Sequence, residues 1–262
     1  MKLSISNIAW EEHQDTEIYA RMKERGFCGL EIAPTRIFPE QPYEKRKEAY
    51  LWSRNLKKEY GFSVCSMQSI WFGRQEKVFG SEQERQLLIE YTKKAIDFAA
   101  AVECGNLVFG CPRNRNLPDG GKPEFAVGFF RELGDYAASK GTVIGMEANP
   151  PIYHTNYIND TPSALELVED VDSEGFRLNL DVGTMIQNGE DISELNGKVG
   201  LINHVHISEP GLRPVEKREL HMELRDILLR ENYRGFVSVE MGRTENITLI
   251  DGILEYIRGV FA

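Results

Sequence analysis

The chain is short of several things at once. Its 262 residues hold only four cysteines, Cys28, Cys65, Cys104 and Cys111, and no two form a CxxC pair. That excludes a disulfide-framed small domain and a cysteine-rich zinc module, and leaves reduced thiols in or near a core. Positive charge is in deficit: 31 Lys and Arg against 41 Asp and Glu give a formal net charge of −10. Nucleic-acid affinity rests on Lys and Arg neutralising phosphates, so no nucleic-acid partner is expected. No apolar stretch is long enough to span a bilayer, and Met1-Lys2-Leu3-Ser4-Ile5-Ser6-Asn7 lacks the apolar run of a secretory signal. No membrane association and a cytoplasmic location are therefore expected. The first strand-like run leads into Trp10-Glu11-Glu12-His13 rather than a GxGxxG turn, which speaks against a doubly wound dinucleotide fold.

What is present is a repeated pattern. Hydrophobic residues make up 41% and charged residues 27%, the balance of a globular domain with a full core. Polar, helix-periodic segments end at Gly26, Gly61, Gly105, Gly141, Gly175, Gly200 and Gly235, each suited to a left-handed helix C-cap. A short β-branched or apolar run follows each: residues 27–32, 62–67, 106–109, 142–147, 176–181, 201–207 and 236–241. With the opening run 3–9 these make eight strands. Helices are expected over 15–24, 43–60, 81–103, 124–139, 215–230 and 245–258, with another opening at Thr161-Pro162, where Thr161 would be the N-cap. Eight alternating βα units predict an α/β fold: one (β/α)8 TIM barrel, a single domain over residues 1–262.

Barrel chemistry sits at the C-terminal ends of the strands. Four consecutive strands here end in a carboxylate or an imidazole: Glu147, Asp181, His206 and Glu240. His204 and His206 flank Val205, so both rings share one strand face. Taken singly, each is more often a salt bridge, a turn former or a core histidine. Three carboxylates and an imidazole at one barrel mouth would repel or neutralise one another unless a cation sat among them. That donor set suits one divalent metal ion, Mn²⁺, Mg²⁺ or Co²⁺, with Zn²⁺ also admissible. His206, nearer the strand end, is the expected nitrogen ligand, and His204 is expected one layer deeper.

The opening Leu3-Ser4-Ile5-Ser6-Asn7-Ile8-Ala9-Trp10, the run Gly29-Leu30-Glu31-Ile32-Ala33-Pro34 and the four strand ends together resemble the xylose isomerase-like barrel superfamily. The match is to its sugar (phosphate) isomerase and epimerase branch, and is similar to the ketose 3-epimerases. The resemblance implies a metal held by Glu147, Asp181, His206 and Glu240. It also implies Glu147 and Glu240 as acid and base on opposite faces of a sugar, working next to a carbonyl through an enediolate. The implied activity is an isomerase: a metal-dependent aldose–ketose isomerase or ketose epimerase on a small sugar or sugar phosphate. Two positions depart from the branch. Thr184 stands where many relatives have His after the strand-six Asp, and residues 150–154 lack a second Glu. Both departures concern substrate hydroxyls. An inosose-type dehydratase, which shares the barrel and the proton abstraction next to a carbonyl, is an alternative, and the missing histidine keeps a non-catalytic sugar-binding barrel as another.

Further substrate contacts are expected from Gln68, Asn149, Arg113 and Arg213, the arginines as bidentate grips on an anionic group. His221 would either face the pocket or lie on its helix surface. Arg115 is expected to be a solvated loop charge. Glu31 is expected inside the barrel, bonded to backbone or His204. Oligomeric state stays open, a homo-oligomer among the options.

Overall fold

β-Branched and apolar runs buried on both faces pair as parallel strands, with helices covering the outside. The computed structural model describes residues 1–262. Its strands are β1 (Lys2–Ser6), β2 (Gly29–Ile32), β3 (Ser63–Met67), β4 (Leu107–Phe109), β5 (Ile144–Met146), β6 (Phe176–Asp181), β7 (Ile202–Ile207) and β8 (Phe236–Val239). They pair in chain order and close, β1 joining β8 with Lys2 opposite Phe236. Seven fall within the runs expected from the sequence and β1 starts one residue before its run, at Lys2; closure excludes the open sheet.

The helices are α1 (Asp15–Glu24), α2 (Pro34–Ile37), α3 (Arg46–Tyr60), α4 (Glu82–Ala101), α5 (Glu124–Ser139), α6 (Thr161–Val171), α7 (Val182–Asn188), α8 (Glu219–Arg230) and α9 (Ile247–Phe261). No helix is long and apolar enough to cross a membrane. Helix α4 starts from a capping box in which Ser81 and Glu84 satisfy each other's backbone N–H. Two expectations at helix ends are corrected. The N-cap of α6 is Asp160, whose carboxylate accepts from Ser163 N–H at 2.8 Å, while Thr161 is the first helical residue. Of the seven expected C-cap glycines only Gly26, Gly61 and Gly141 adopt positive φ; elsewhere Glu103, Asp172 and Asn232 make the left-handed turn.

Gly175 is small for a different reason. A Cβ there would stand 2.0 Å from the Gly134 carbonyl oxygen and 2.5 Å from Ala138 N, so α5 packs directly on the chain entering β6. That seats β6, and with it Asp181, against the barrel.

The barrel interior is unusually polar for this architecture, whose inner layers are usually filled by Val, Ile and Leu. Ser4, Ser66, Asn106, Asn179, Glu31, His204 and Ser238 are all buried. Asn106 Nδ2 donates to Ser66 Oγ at 3.0 Å and to Asn179 Oδ1 at 3.2 Å. Gly145 on β5 leaves the room for that pair, since its Cβ would meet Asn106 Oδ1 at 2.6 Å. The network forms a hydrogen-bonded floor beneath the C-terminal mouth.

Gly175→Ala should cost about 1–3 kcal/mol, because the obstructing atoms are backbone and cannot rotate away. Calorimetry should show a lower Tm by roughly 2–10 °C; an unchanged Tm would contradict the packing described.

Candidate metal centre

His206 is fully buried, and both of its ring nitrogens are engaged. Nε2 lies 2.8 Å from Glu31 Oε2, reaching from β2. Nδ1 faces the mouth, 2.9 Å from Glu147 Oε1 and 3.3 Å from Glu240 Oε2. Parallel register places Asp181 of β6 beside His206, and His206 beside Ser238 of β8. One ligand atom from each of Glu147, Asp181, His206 and Glu240 lies within 4.8 Å of the others. The structure thus brings the four expected residues together, with Nδ1 as the ring nitrogen facing Glu147 and Glu240.

Each carboxylate is held by its own neighbours. Glu147 Oε1 also accepts from Asn179 Nδ2 at 2.8 Å, and Oε2 accepts from Asn149 Nδ2 at 3.3 Å. Gly110, at the end of β4, leaves room for it: a Cβ there would be 2.9 Å from Glu147 Oε2. Asp181 caps α7, its Oδ1 accepting from Thr184 N–H at 2.6 Å, while Oδ2 accepts from Ser208 Oγ at 2.6 Å. Glu240 Oε1 accepts from Gln68 Nε2 at 3.1 Å. The residue in place of the usual histidine, Thr184, turns its hydroxyl to the Ala148 carbonyl at 2.9 Å.

The electrostatics match a site built around a cation. Burial and the neighbouring Glu147 charge raise the Asp181 carboxyl to about 6. Burial raises the Glu240 carboxyl to about 7, against the opposing pull of His206. Burial alone would lower His206, but Glu31 and Glu240 hold its pKa well above the ordinary imidazole value. Glu31, despite its own burial, is kept below the usual carboxylate range by His206 and His204. Burial disfavours the charged forms of Asp181 and Glu240, and a divalent ion among the same donors would offset that charge. Glu31, bonded to the far ring nitrogen, fixes the ring as carboxylates behind metal-binding histidines do. His204 sits deeper, 3.4 Å from Glu31, as expected of a supporting core residue.

Above the four residues lies a cavity of about 190 Å³. Its lining includes the expected Gln68 and Asn149, together with Cys111, Tyr153, Ser208, Glu209 and Leu212. Three expected substrate contacts lie elsewhere. Arg213 is exposed, its Nε donating to the Pro210 carbonyl at 3.2 Å, because the positive φ of Gly211 and Leu212 turns the chain outward. Arg113 is exposed and outside this cavity. His221 is buried away from the mouth, its Nδ1 2.9 Å from the Tyr256 hydroxyl on α9, and burial lowers its pKa to about 4.

Arg115 reverses its expectation outright. It is fully buried, donating to the Glu147 carbonyl at 2.8 Å, Asn149 Oδ1 at 3.0 Å and the Ile158 carbonyl at 3.2 Å. Burial lowers its pKa to about 10, leaving it charged near neutrality. No run of residues around Arg115 signals this, since the loop after β4 folds back over β5. Asn179 did carry a signal: it lies two residues before Asp181 on one strand, so both face inward. Tyr153, on the loop where the second Glu is missing, accepts from Gly211 N–H at 2.9 Å and walls the cavity.

Two outcomes follow from this geometry. Carboxyls raised in the folded chain, and the raised His206, contribute stability that is full below their ordinary values and lost as pH rises through the folded ones. Between pH 5 and 8 the metal-free protein should lose Tm, and the gain in Tm from added Mn²⁺ should grow with pH as protons leave Asp181 and Glu240. An equal gain at pH 5.5 and pH 8 in scanning fluorimetry would contradict this. Arg115→Ala removes the buried donor from the Glu147 carbonyl and Asn149 Oδ1 and should cost about 2 kcal/mol or more. It should also weaken Mn²⁺ binding at least about tenfold by releasing the Glu147 backbone; unchanged calorimetric affinity would contradict that role.

Among solved structures, 3-keto-D-glucoside 4-epimerase from E. coli matches over 99% of both chains with 21% identity and a TM-score of 0.77. D-Psicose 3-epimerase from Clostridium cellulolyticum H10 matches over 99% of both chains with 17% identity and a TM-score of 0.78. An L-ribulose 3-epimerase matches over 99% of this chain and 93% of its own, with 14% identity and a TM-score of 0.74. At these identities the likeness speaks for the fold. No curated protein matches the chain. The profile of the xylose isomerase-like TIM barrel family matches residues 19–259, and the chain belongs to that family.

Proposed function

We propose that this protein is a divalent-metal-dependent sugar epimerase or isomerase that moves a proton next to a carbonyl. The observation that carries this reading is the convergence of Glu147, Asp181, His206 and Glu240, their ligand atoms within 4.8 Å of one another beneath a cavity of about 190 Å³. Those four residues would hold the ion. When bound, it supplies Lewis-acid polarisation of the carbonyl and offsets the charge that develops as the adjacent carbon loses its proton. The chain supplies the rest. Glu147 and Glu240 come from β5 and β8 and approach His206 from two sides, so either can take a proton and the other return one. Asn179 and Asn149 orient the Glu147 carboxylate, and Gln68 orients that of Glu240. Solved structures of similar fold named for psicose, ribulose and 3-keto-glucoside epimerisation support the same class of chemistry.

The cavity favours a neutral sugar over a sugar phosphate. Its lining includes Glu147, Asp181, Glu209 and Glu240 and contains no lysine or arginine. A phosphate placed there would have no lysine or arginine to grip it beyond the ion itself.

Metal-loaded protein in D₂O should exchange a ketose C–H for C–D with formation of an epimer or aldose, read by NMR. Glu147→Gln and Glu240→Gln should each lower that rate by about 10²–10⁴-fold, the span of general acid–base catalysis. Loss of water from the substrate would assign a dehydratase instead, and absence of exchange across the panel would leave a binding protein.

A further inference from the structure

The catalytic cavity is small for a ligand site, about 190 Å³ against a usual range of about 300–1,000 Å³. It does not end in a wall. Ser69, Cys111 and Pro112 line it and also line a second hollow of about 490 Å³ between the loops that follow β3 and β4. Two of these shared residues, Ser69 (φ 54°) and Cys111 (φ 42°), hold a left-handed backbone without being glycine. Such conformations cost roughly 1 kcal/mol or more and persist where surrounding structure enforces them. The divide between the hollows is therefore a fixed ledge.

The ledge is wired to the chemistry. Ser69 Oγ donates to Gln68 Oε1 at 2.8 Å, and Gln68 Nε2 donates to Glu240 Oε1 at 3.1 Å. On the outer side stands Phe72, 70% exposed, the most exposed large hydrophobic side chain of the molecule. An exposed ring at the mouth of a cleft offers an apolar face to a ligand. Polar groups around it can donate to hydroxyls. Arg74 is paired with Glu76, and Lys77 Nζ gives one of its three hydrogens to the Arg113 carbonyl at 2.6 Å. The Arg113 guanidinium is exposed and makes no ion pair.

Resting on the proposed epimerase or isomerase activity, we infer that the substrate is an extended ketosugar. Its reacting unit occupies the acid-lined cavity, and a second sugar ring crosses the Ser69–Cys111 ledge to lie against Phe72. The Arg113 guanidinium offers donors to the hydroxyls of that second ring. This makes Phe72 and Arg113 specificity residues, and gives Arg113 a place in recognition outside the catalytic cavity.

The test uses the Mn²⁺-loaded full chain and measures deuterium exchange and binding with D-fructose, D-psicose, 6-O-glucosyl-fructose, 4-O-galactosyl-fructose and fructose 6-phosphate. A glycosylated ketose should exceed the free ketoses in kcat/KM at least tenfold and bind more tightly by calorimetry. Phe72→Ala should raise KM for the glycosylated ketose about fivefold or more with little change in kcat. The distant exposed Leu229→Ser on α8 should alter neither. Free ketoses turning over as well as glycosylated ones would overturn the extended-substrate inference and leave the epimerase reading standing. A preference for fructose 6-phosphate would overturn it in favour of an anion site. Exchange with no member of the panel would instead remove the activity on which the inference rests.

Discussion

Everything at the mouth of this barrel depends on one buried imidazole being held from both sides. Glu31 takes Nε2 of His206 from across the barrel on β2, and Glu147 and Glu240 face Nδ1. A ring with one nitrogen tied cannot turn. Nδ1 therefore always points at the carboxylates, and the choice of ligand atom is made by the fold before any ion arrives. Burial, first of all, makes Asp181 and Glu240 hold their protons to higher pH than usual.

That constraint accounts for the polar barrel. A charged pair such as Glu31–His206 is destabilising in an apolar interior unless further hydrogen bonds surround it. The asparagine and serine floor supplies polar surroundings, and Gly145 and Gly110 are small so that Asn106 and Glu147 can stand where they do. Asp181 does two jobs, capping α7 and facing the cluster, so the helix start and the ligand position are fixed by the same bond. Arg115 ties the loop after β4 to the backbone of Glu147, joining loop and ligand into one rigid piece.

The barrel was legible because each strand is a short apolar run after a helix-periodic segment. The four strand-end residues were legible because a closed barrel brings consecutive strand ends together. Other features were not, for separate physical reasons. Gly175 and Gly235 read as helix caps, yet their smallness serves close packing, against Gly134 and Tyr233 respectively, which no local pattern reveals. Arg115 reads as a solvated charge because burial of an arginine is rare, and here it depends on a loop folding back onto another strand. Arg213 reads as a substrate grip, but two left-handed residues before it turn it to solvent. Helix α7 is only seven residues long, too short for periodicity, and Asp181 was read as a strand end without its second role as a cap.

In this site His206 would be the single nitrogen ligand, through Nδ1, of one divalent ion shared with three carboxylates. Electron spin echo modulation of the Mn²⁺-loaded protein reads nitrogen coupling to the ion directly. The wild type should show coupling to one imidazole nitrogen, and His206→Asn should lose it with Mn²⁺ still bound weakly by the carboxylates. Coupling to two imidazoles, to none, or coupling that survives in His206→Asn would contradict that ligand role.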